Sequence, residues 1–147
     1  MVHRELIQKM IQFSAKTKPF EAMMGKIKVI SAGNGKLEAE MKVEEQHTNI
    51  FGTLHGGCTA TLVDCMSGYA LLTHPKLEKN ITSSPHSGVS VDMHLTYLRA
   101  ASIGEDILIK ADTTKAGKTL AFLKVTILNK KTGDVLAKGS HTKYIAQ

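Results

Sequence analysis

The sequence predicts an α+β fold in which one antiparallel β-sheet wraps around a single long central α-helix, with a further helix at the amino end. Three observations predict it. Residues 55–72 form a largely apolar stretch without proline, lysine, arginine or glutamate. A glycine-bearing hairpin pattern precedes that stretch, and from residue 88 onward apolar and polar residues alternate through several strands. Short turns between these strands favour an antiparallel meander.

Length and charge favour an ordinary globular chain. It has 147 residues and a formal net charge of +6. A chain of this length can bury roughly two thirds of its unfolded surface, so it needs neither a disulfide nor a metal to fold. The basic residues are scattered, which argues against nucleic-acid binding. We expect a single domain over residues 1–147, with residues 1–24 as an N-terminal helical segment.

The cysteines and the amino end bear on the cellular compartment. Cys58 and Cys65 lie two helical turns apart, about 10 Å along the axis, which is too far for a disulfide. Free thiols are typical of a reducing compartment. The sequence shows no membrane-spanning apolar run and no secretory signal. Arg4 is the only arginine among the first twenty residues. We therefore expect a cytoplasmic location, with a mitochondrial one as the alternative.

The other elements follow from periodicity and punctuation. Apolar residues at helical spacing predict a helix over residues 5–16, ended by Pro19, and one more turn over 20–24. Alternation predicts strands over residues 26–31, 36–43, 88–97, 105–115, 119–129 and 134–145. In the third of these strands it puts Ser90 and Asp92 on one face. A polar surface loop fills residues 73–87.

Asp64 is the only charged residue within the predicted central helix. The residues three and four positions away are Ala60, Thr61, Ser67 and Gly68, so no basic side chain pairs with it along the helix. A carboxylate in a buried helix is costly unless another element supplies a partner or the site opens to a ligand. Asp64 is therefore the leading candidate for chemistry, and a capped structural carboxylate is the alternative.

A second group of candidates lies just before and at the helix start. Asn49 carries an amide donor, and His55 adjoins the first turn. Gly56 and Gly57 expose backbone N–H groups where the helix dipole adds about half a positive charge. Such groups can form an oxyanion hole. The alternatives are structural: a turn residue at Asn49, a satisfied histidine at His55, and close packing at the glycines.

The spacing between the two groups predicts a dimer. Gly56 and Asp64 are eight residues apart, about 12 Å along one helix, so they cannot both reach one carbonyl from the same chain. If both act, Gly56 of one subunit must meet the partner subunit's Asp64 across a two-fold axis.

Other motifs fail. Residues 116–119 resemble the end of a phosphate-binding P-loop, but Asp112 stands where its first glycine should be. The histidines show no helical metal spacing and no Cys-x-x-Cys exists, so no metal site is expected. The Gly-x-Ser-x-Gly elbow of serine hydrolases is also missing.

With these residues established, the chain resembles the hotdog-fold acyl-CoA thioesterases over roughly residues 5–145. The motifs that carry the resemblance are HTN, GTLHGG, TATLVD, GVSVDM, GKTLAF and HTK. It implies a hotdog fold and hydrolysis of medium- to long-chain acyl-CoA to free acid and coenzyme A, with no cofactor. It also implies a homotetramer built from two homodimers.

The resemblance implies a role for each candidate. Asn49 and the Gly56 N–H would polarise the thioester carbonyl. The partner subunit's Asp64 would act as general base or nucleophile, Ser90 would help place the water, and His55 would assist near the leaving thiolate. Coenzyme A, as part of the substrate, would contact Ser90, Asp92, Tyr97, Leu98, Arg99, Ala100, Ala101, Ser102, Lys115, Ala116, Gly117, Lys118, Thr119, Leu120 and Tyr144.

Two departures and two rivals accompany this interpretation. The loop 73–87 is longer than the family's connection. A relative within the family carries His where Tyr144 stands and Pro in the segment that holds Ala100. A hotdog enoyl-CoA hydratase or dehydratase is one rival, favoured by hydration without hydrolysis. A non-catalytic acyl-CoA-binding or regulatory module is the other, favoured by tight binding without turnover.

Overall fold

The computed structural model describes residues 2–146. The helices are α1 Val2–Thr17 and α2 Gly56–Leu72, and the strands are β1 Lys28–Gly33, β2 Lys36–Lys42, β3 Val89–Tyr97, β4 Asp106–Ala116, β5 Leu120–Asn129 and β6 Val135–Tyr144. Short 3-10 helices lie at Pro19–Met24, Glu45–His47 and Glu78–Asn80. The strands form one antiparallel sheet in the order β1-β2-β4-β5-β6-β3. The predicted fold class is confirmed. Within residues 2–146, no helix has the length and apolar character to cross a membrane.

Helix α2 is the core of the molecule. Leu62, Val63 and Met66 are fully buried between it and the sheet. Gly139 on β6 permits the close approach of the helix, because a Cβ there would lie 2.6 Å from Val63 Cγ1. The position of α2 against β6 is therefore fixed tightly, and both elements carry residues of the candidate site.

Helix α1 packs beside β1 and buries Ile7 and Ile11. The Gln8 side chain ties it there, since Nε2 donates to the Ile27 carbonyl at 2.8 Å and Oε1 accepts the Val29 N–H at 2.6 Å. The predicted first helix is confirmed, and it ends before Pro19 as expected.

The meander prediction is correct for β4, β5 and β6 and wrong for β3. Strand β3 pairs with β6 at the edge of the sheet, while β4 pairs with β2 and β5. The reason is that β2 occupies the edge of β4 that a simple meander would give to β3. The segment after β3 therefore carries the chain across the sheet.

A β-bulge in β3 changes which side chains face α2. Ser90 lies opposite Lys143, whereas Asp92 lies opposite Thr142. Directly paired side chains share a face, and Thr142 and Lys143 are consecutive, so Ser90 and Asp92 point to opposite faces. The prediction that they share a face is wrong. Ser90 instead points inward with Lys143.

Strand β3 is also a long, open edge. It has nine residues, and Val89 and Val91 are 58% and 60% exposed. Only one of its two edges is paired within residues 2–146. An unpaired apolar edge of this length is a template for adding a strand from a second chain.

Candidate active site

The start of α2 gathers Asn49, His55 and Gly56, which we call the donor end. Asn49 Oδ1 accepts the backbone N–H groups of Phe51 at 2.9 Å and Thr53 at 3.2 Å. Its Nδ2 donates to Thr53 Oγ1 at 2.9 Å. These bonds fix the orientation of the amide and use one of its two donor hydrogens. Asn49 is thus a turn residue that can also offer a donor.

Gly56 carries the best-placed candidate for an oxyanion donor. It is the first residue of α2, so its N–H has no intrahelical acceptor, and no other group of residues 2–146 accepts it. Tyr97 Oη donates to the Gly56 carbonyl at 2.9 Å and holds this turn in place. A half-buried N–H at the positive end of a helix dipole suits a developing oxyanion.

The Gly57 N–H is already engaged. It donates to His55 Nδ1 at 2.8 Å, because the imidazole caps the helix. The prediction that Gly57 exposes a free N–H is therefore wrong. Since Nδ1 accepts this bond, the neutral ring carries its proton on Nε2. His55 is exposed and presents that N–H to the outside.

A cavity of about 340 Å³ adjoins the donor end. Its lining includes Gly56 together with predicted coenzyme A contacts Tyr97, Leu98, Arg99, Ala100 and Ala101. Ala101 is buried, so its methyl group belongs to the core. The Arg99 guanidinium binds Asp134 at 2.8 Å. Arg99 therefore has some of its donors engaged in an ion pair, while the neighbouring Ser102 is exposed.

Asp64 lies two turns farther along α2. Its side chain is 50% exposed, so the carboxylate is open to solvent on one side, which is one of the alternatives that the sequence left for a charge in this helix. On its other side β6 contributes His141, whose Nε2 lies 3.9 Å from Asp64 Oδ1.

His141 organises a hydrogen-bonded chain around Asp64. Ser67 Oγ donates to the Asp64 backbone carbonyl at 3.0 Å and therefore accepts from His141 Nδ1 at 2.7 Å. This places the imidazole proton on Nδ1 and a lone pair on Nε2. Nε2 then accepts the Ser90 hydroxyl proton at 2.8 Å. We call Asp64, Ser67, Ser90 and His141 the carboxylate cluster.

Burial sets the charge of this cluster. It lowers the pKa of His141, the Lys143 charge lowers it further, and Asp64 opposes both. The imidazole is therefore neutral at pH 7 and can accept a proton. Lys143 is itself 6% exposed and donates to Ser87 Oγ at 3.0 Å. Burial lowers the pKa of Lys143 too, against the opposing charge of Asp64.

The cysteines do not compete as nucleophiles. Burial raises the pKa of both Cys58 and Cys65 to about 12, and Asp64 contributes to the shift at Cys65. Both thiols are therefore protonated near neutral pH, and the thiolate is the reactive form.

His141 and Ser67 were missed by the sequence analysis. A signal for His141 exists in the alternation of β6, where it follows Ala137 and Gly139 on the buried face. A histidine continuing a buried, small-residue face is unusual and marks a polar site. Ser67 carries no comparable signal, because a serine within a buried helix is ordinary.

A larger cavity of about 590 Å³ lies at the start of β3 and the end of β6, and no member of the carboxylate cluster lines it. It brings together Lys118 and Tyr144, two predicted coenzyme A contacts, with Val89, the neighbour of Ser90. The other predicted contacts of this group flank or form the tight β4–β5 turn, namely Lys115, Ala116, Gly117, Thr119 and Leu120. Asp92 is exposed on the opposite face of β3 and does not join Ser90.

The donor end and the carboxylate cluster do not meet in one chain. Eight residues of straight helix place Gly56 and Asp64 about 12 Å apart along the axis. The 340 Å³ cavity adjoins the donor end, whereas the 590 Å³ cavity reaches Val89, the neighbour of Ser90 along the chain.

Known proteins match this chain in sequence and in fold. Residues 51–136 match the family model of the thioesterase superfamily. The chain is 50% identical to human acyl-coenzyme A thioesterase 13, a match covering 95% of this chain and 94% of that protein. The crystal structure of zebrafish thioesterase superfamily member 2 superposes with a TM-score of 0.87 at 46% identity, covering 95% of this chain and 96% of the other.

The mouse protein of that name gives a TM-score of 0.82 at 45% identity, with 96% of both chains covered. The resemblance inferred from the GTLHGG, TATLVD and GVSVDM motifs is thereby confirmed. The chain belongs to the thioesterase superfamily and has its hotdog fold.

Proposed function

We propose that this chain is an acyl-CoA thioesterase, which converts acyl-CoA and water to a free acid and coenzyme A. One observation carries the proposal: α2 holds an unsatisfied N–H at its start and, two turns later, a half-exposed carboxylate beside His141, which is hydrogen-bonded to Ser90. An oxyanion donor and an acid–base group are the two parts that acyl transfer to water requires. Human acyl-coenzyme A thioesterase 13, at 50% identity, supports acyl-CoA as the substrate.

The first step polarises the thioester. The carbonyl oxygen accepts the Gly56 N–H, with the remaining Asn49 amide hydrogen beside it. The partner subunit's Asp64 then takes a proton from water as the water oxygen attacks the carbonyl carbon. In the alternative, Asp64 attacks directly, and water hydrolyses the resulting anhydride.

Ser90 places the water in the first route. The Ser90 hydroxyl donates its hydrogen bond to His141 Nε2. Its oxygen therefore keeps a lone pair that can accept a hydrogen bond from the attacking water. When the carbon–sulfur bond breaks, the thiolate leaves with the electron pair. The exposed His55 Nε2–H is placed at the donor end to stabilise it.

This mechanism requires a homodimer. The open edge of β3 suits pairing with a second β3, and Ile50 and Phe51 beside Asn49 are 94% and 81% exposed. A two-fold axis would run one α2 antiparallel to its mate, and Gly56 of each chain would then approach the other's Asp64. The family resemblance supports a further pairing into a homotetramer.

The acyl group is proposed to be a medium or long chain. The side of α2 beside Asp64 carries the small, uncharged residues Ala60, Thr61 and Cys65, all partly exposed. Such a wall suits an alkyl chain lying along the helix. Water is the only co-reactant, so the reaction needs no cofactor. The free thiols support a cytoplasmic location.

The test is release of free thiol from straight-chain acyl-CoAs, from acetyl to stearoyl, by the purified protein. We expect turnover, with kcat/KM rising toward medium and long chains. Turnover limited to the shortest substrates would overturn the chain-length proposal. Hydration of an enoyl-CoA without thiol release would establish the hydratase instead. Tight acyl-CoA binding without turnover would make the chain a binding module.

A further inference from the structure

The loop between α2 and β3, residues 73–88, is folded as a unit, and we call it the long loop. Hydrogen-bonded turns run through its first half, including Leu77 N–H to the His74 carbonyl at 2.8 Å. Leu77 packs on the apolar cluster of Leu71, Ala121 and Leu123. The long loop is therefore held by its own core contacts and can present side chains in fixed positions.

Both halves of the long loop are tied to the sheet. Lys76 Nζ donates to the Gly117 carbonyl in the β4–β5 turn. Ser87 accepts from the buried Lys143 at 3.0 Å. Gly88 has a left-handed φ of +79°, and a Cβ there would lie 2.1 Å from the Tyr144 carbonyl oxygen, so the backbone passes directly against β6.

The long loop encloses one side of the 590 Å³ cavity. Lys76 and His86 face this cavity from the loop, and Lys118 faces it from the β4–β5 turn. No aspartate or glutamate lines it among residues 2–146. Asn80 and Ser84 add uncharged polar groups, while Leu77 contributes an apolar wall. This combination suits a ligand that is anionic at one part and flat or apolar at another.

The donors of this wall remain available to a ligand. An ammonium has three hydrogens, and the bond to Gly117 uses one of those on Lys76. His86 Nδ1 accepts the Gly88 N–H at 3.1 Å, so the neutral ring carries its proton on Nε2. The cavity also reaches Val89, the residue before Ser90 along the chain, and Tyr144, the strand partner of Val89.

We propose that Lys76 and His86 of the long loop bind phosphate groups of the acyl-CoA substrate, opposite Lys118. This inference rests on the proposed function and adds a binding wall that belongs to the long loop. Lysine and imidazole N–H groups form strong charge-assisted bonds with phosphate oxygens. The long loop thus selects the nucleotide-bearing thioester over a simpler one.

The experiment compares three thioesters that carry the same acyl group: acyl-CoA, acyl-dephospho-CoA and acyl-pantetheine, which lacks the nucleotide. The variants are Lys76→Ala, His86→Ala and the pair together. Lys79→Ala is the matched control, because Lys79 is an exposed lysine of the same loop that does not line the cavity. Lys76→Arg tests rescue by a retained charge, and thermal unfolding checks that the loop anchor survives.

We expect the double variant to raise KM for acyl-CoA about tenfold more than KM for acyl-pantetheine, with kcat nearly constant. Lys79→Ala should leave that ratio at its wild-type value, and Lys76→Arg should recover it. The acyl-dephospho-CoA arm shows which phosphate is bound. An equal rise in KM for both substrates would overturn the inference, and so would an equal effect of Lys79→Ala. Absence of wild-type turnover on acyl-CoA would overturn the proposed function instead.

Discussion

The two halves of the candidate site lie on one helix, yet one offers a hydrogen-bond donor and the other a carboxylate beside a neutral base. At the donor end, an unsatisfied N–H sits at the positive end of the α2 dipole, and nearby groups are held by bonds within a short loop. At the carboxylate cluster, a half-exposed acid meets a buried neutral imidazole across elements distant in sequence. The first region can stabilise negative charge and the second can move a proton. Neither can hydrolyse a thioester alone.

The difference also explains why the fold needs a second copy. A helix separates these groups by about 12 Å, and a two-fold axis is the simplest operation that joins a donor end to a carboxylate cluster. Each region can be disabled separately by a single substitution.

Removing the charge of Asp64 should have the largest effect. Asp64→Asn keeps the shape of the side chain but removes the base or nucleophile, so we expect kcat to fall about 10²–10⁴-fold. Thiol release measures this, and gel filtration checks the assembly. Asp112→Asn, an exposed acid on β4, is the control. Activity that survived Asp64→Asn would make this carboxylate structural.

At the donor end, the N–H of Gly56 can be deleted without breaking the helix. Proline is accommodated at the first helical position, and His55 already has ψ 134°, the conformation a following proline prefers. Gly56→Pro should lower kcat about 10²–10³-fold. Gly56→Ala keeps the N–H, and its Cβ would meet Tyr97 at an ordinary 3.5 Å. Equal losses in the two variants would show that crowding, not the N–H, matters.

Lowering the pH should reduce activity by protonating His141 in the carboxylate cluster. Burial lowers the pKa of His141, so the ring stays neutral at pH 7 and gains a proton only below the ordinary value of about 6.5. We expect kcat/KM to fall up to about tenfold per pH unit below its pKa. Between the ordinary value of about 6.5 and the lowered pKa of His141, the unfolded chain binds more protons than the folded one. The free energy of unfolding therefore decreases as the pH is lowered through that interval, and levels off below it.

A pH–rate profile of the wild type beside His141→Gln tests this. The variant should be slower and should lose the acid limb that belongs to the imidazole. An unchanged limb in His141→Gln would assign it to another group and would show that the charge state of His141 does not control the placement of Ser90.

The smallest loss of activity should come from a small displacement of the His55 imidazole. A Cβ on Gly57 would lie 3.1 Å from His55 Nδ1, so Gly57→Ala displaces the imidazole by a few tenths of an ångström. We expect a loss in kcat of about threefold to tenfold. In a double-mutant cycle, Gly57→Ala should add nothing to His55→Ala. Additive losses would mean that Gly57 acts independently of the ring.

The donor end was largely readable from the sequence, because its parts are neighbours in the chain. The pair of glycines, the preceding histidine and the start of an apolar helix predict an exposed N–H from local geometry alone. The bond from the Gly57 N–H to His55 Nδ1 was missed because it depends on one side-chain rotamer. The helix boundaries and the N-terminal helix followed from periodicity in the same way.

The carboxylate cluster was only half readable. Asp64 was recognisable as the only charge within the helix. The other members of the cluster, Ser90 on β3 and His141 on β6, come together through the order of the strands in the sheet. The bulge in β3 turns Ser90 inward, against the simple alternation, and no local signal in the sequence marks that extra residue. The placement of β3 at the far edge of the sheet, beside β6, likewise depends on contacts between residues distant in sequence.

A mixing experiment tests most directly the claim that each site joins two chains. Gly56→Pro and Asp64→Asn are co-expressed in equal amounts, each carrying a different affinity tag, and thiol release is compared with each variant alone. Mixed dimers hold one site with an intact Gly56 and an intact Asp64. Half of the dimers are mixed under random pairing, so activity should recover to about a quarter of wild type. If both groups act within one chain, every site in every dimer stays defective. Activity that remained at the level of the single variants would therefore contradict the shared site.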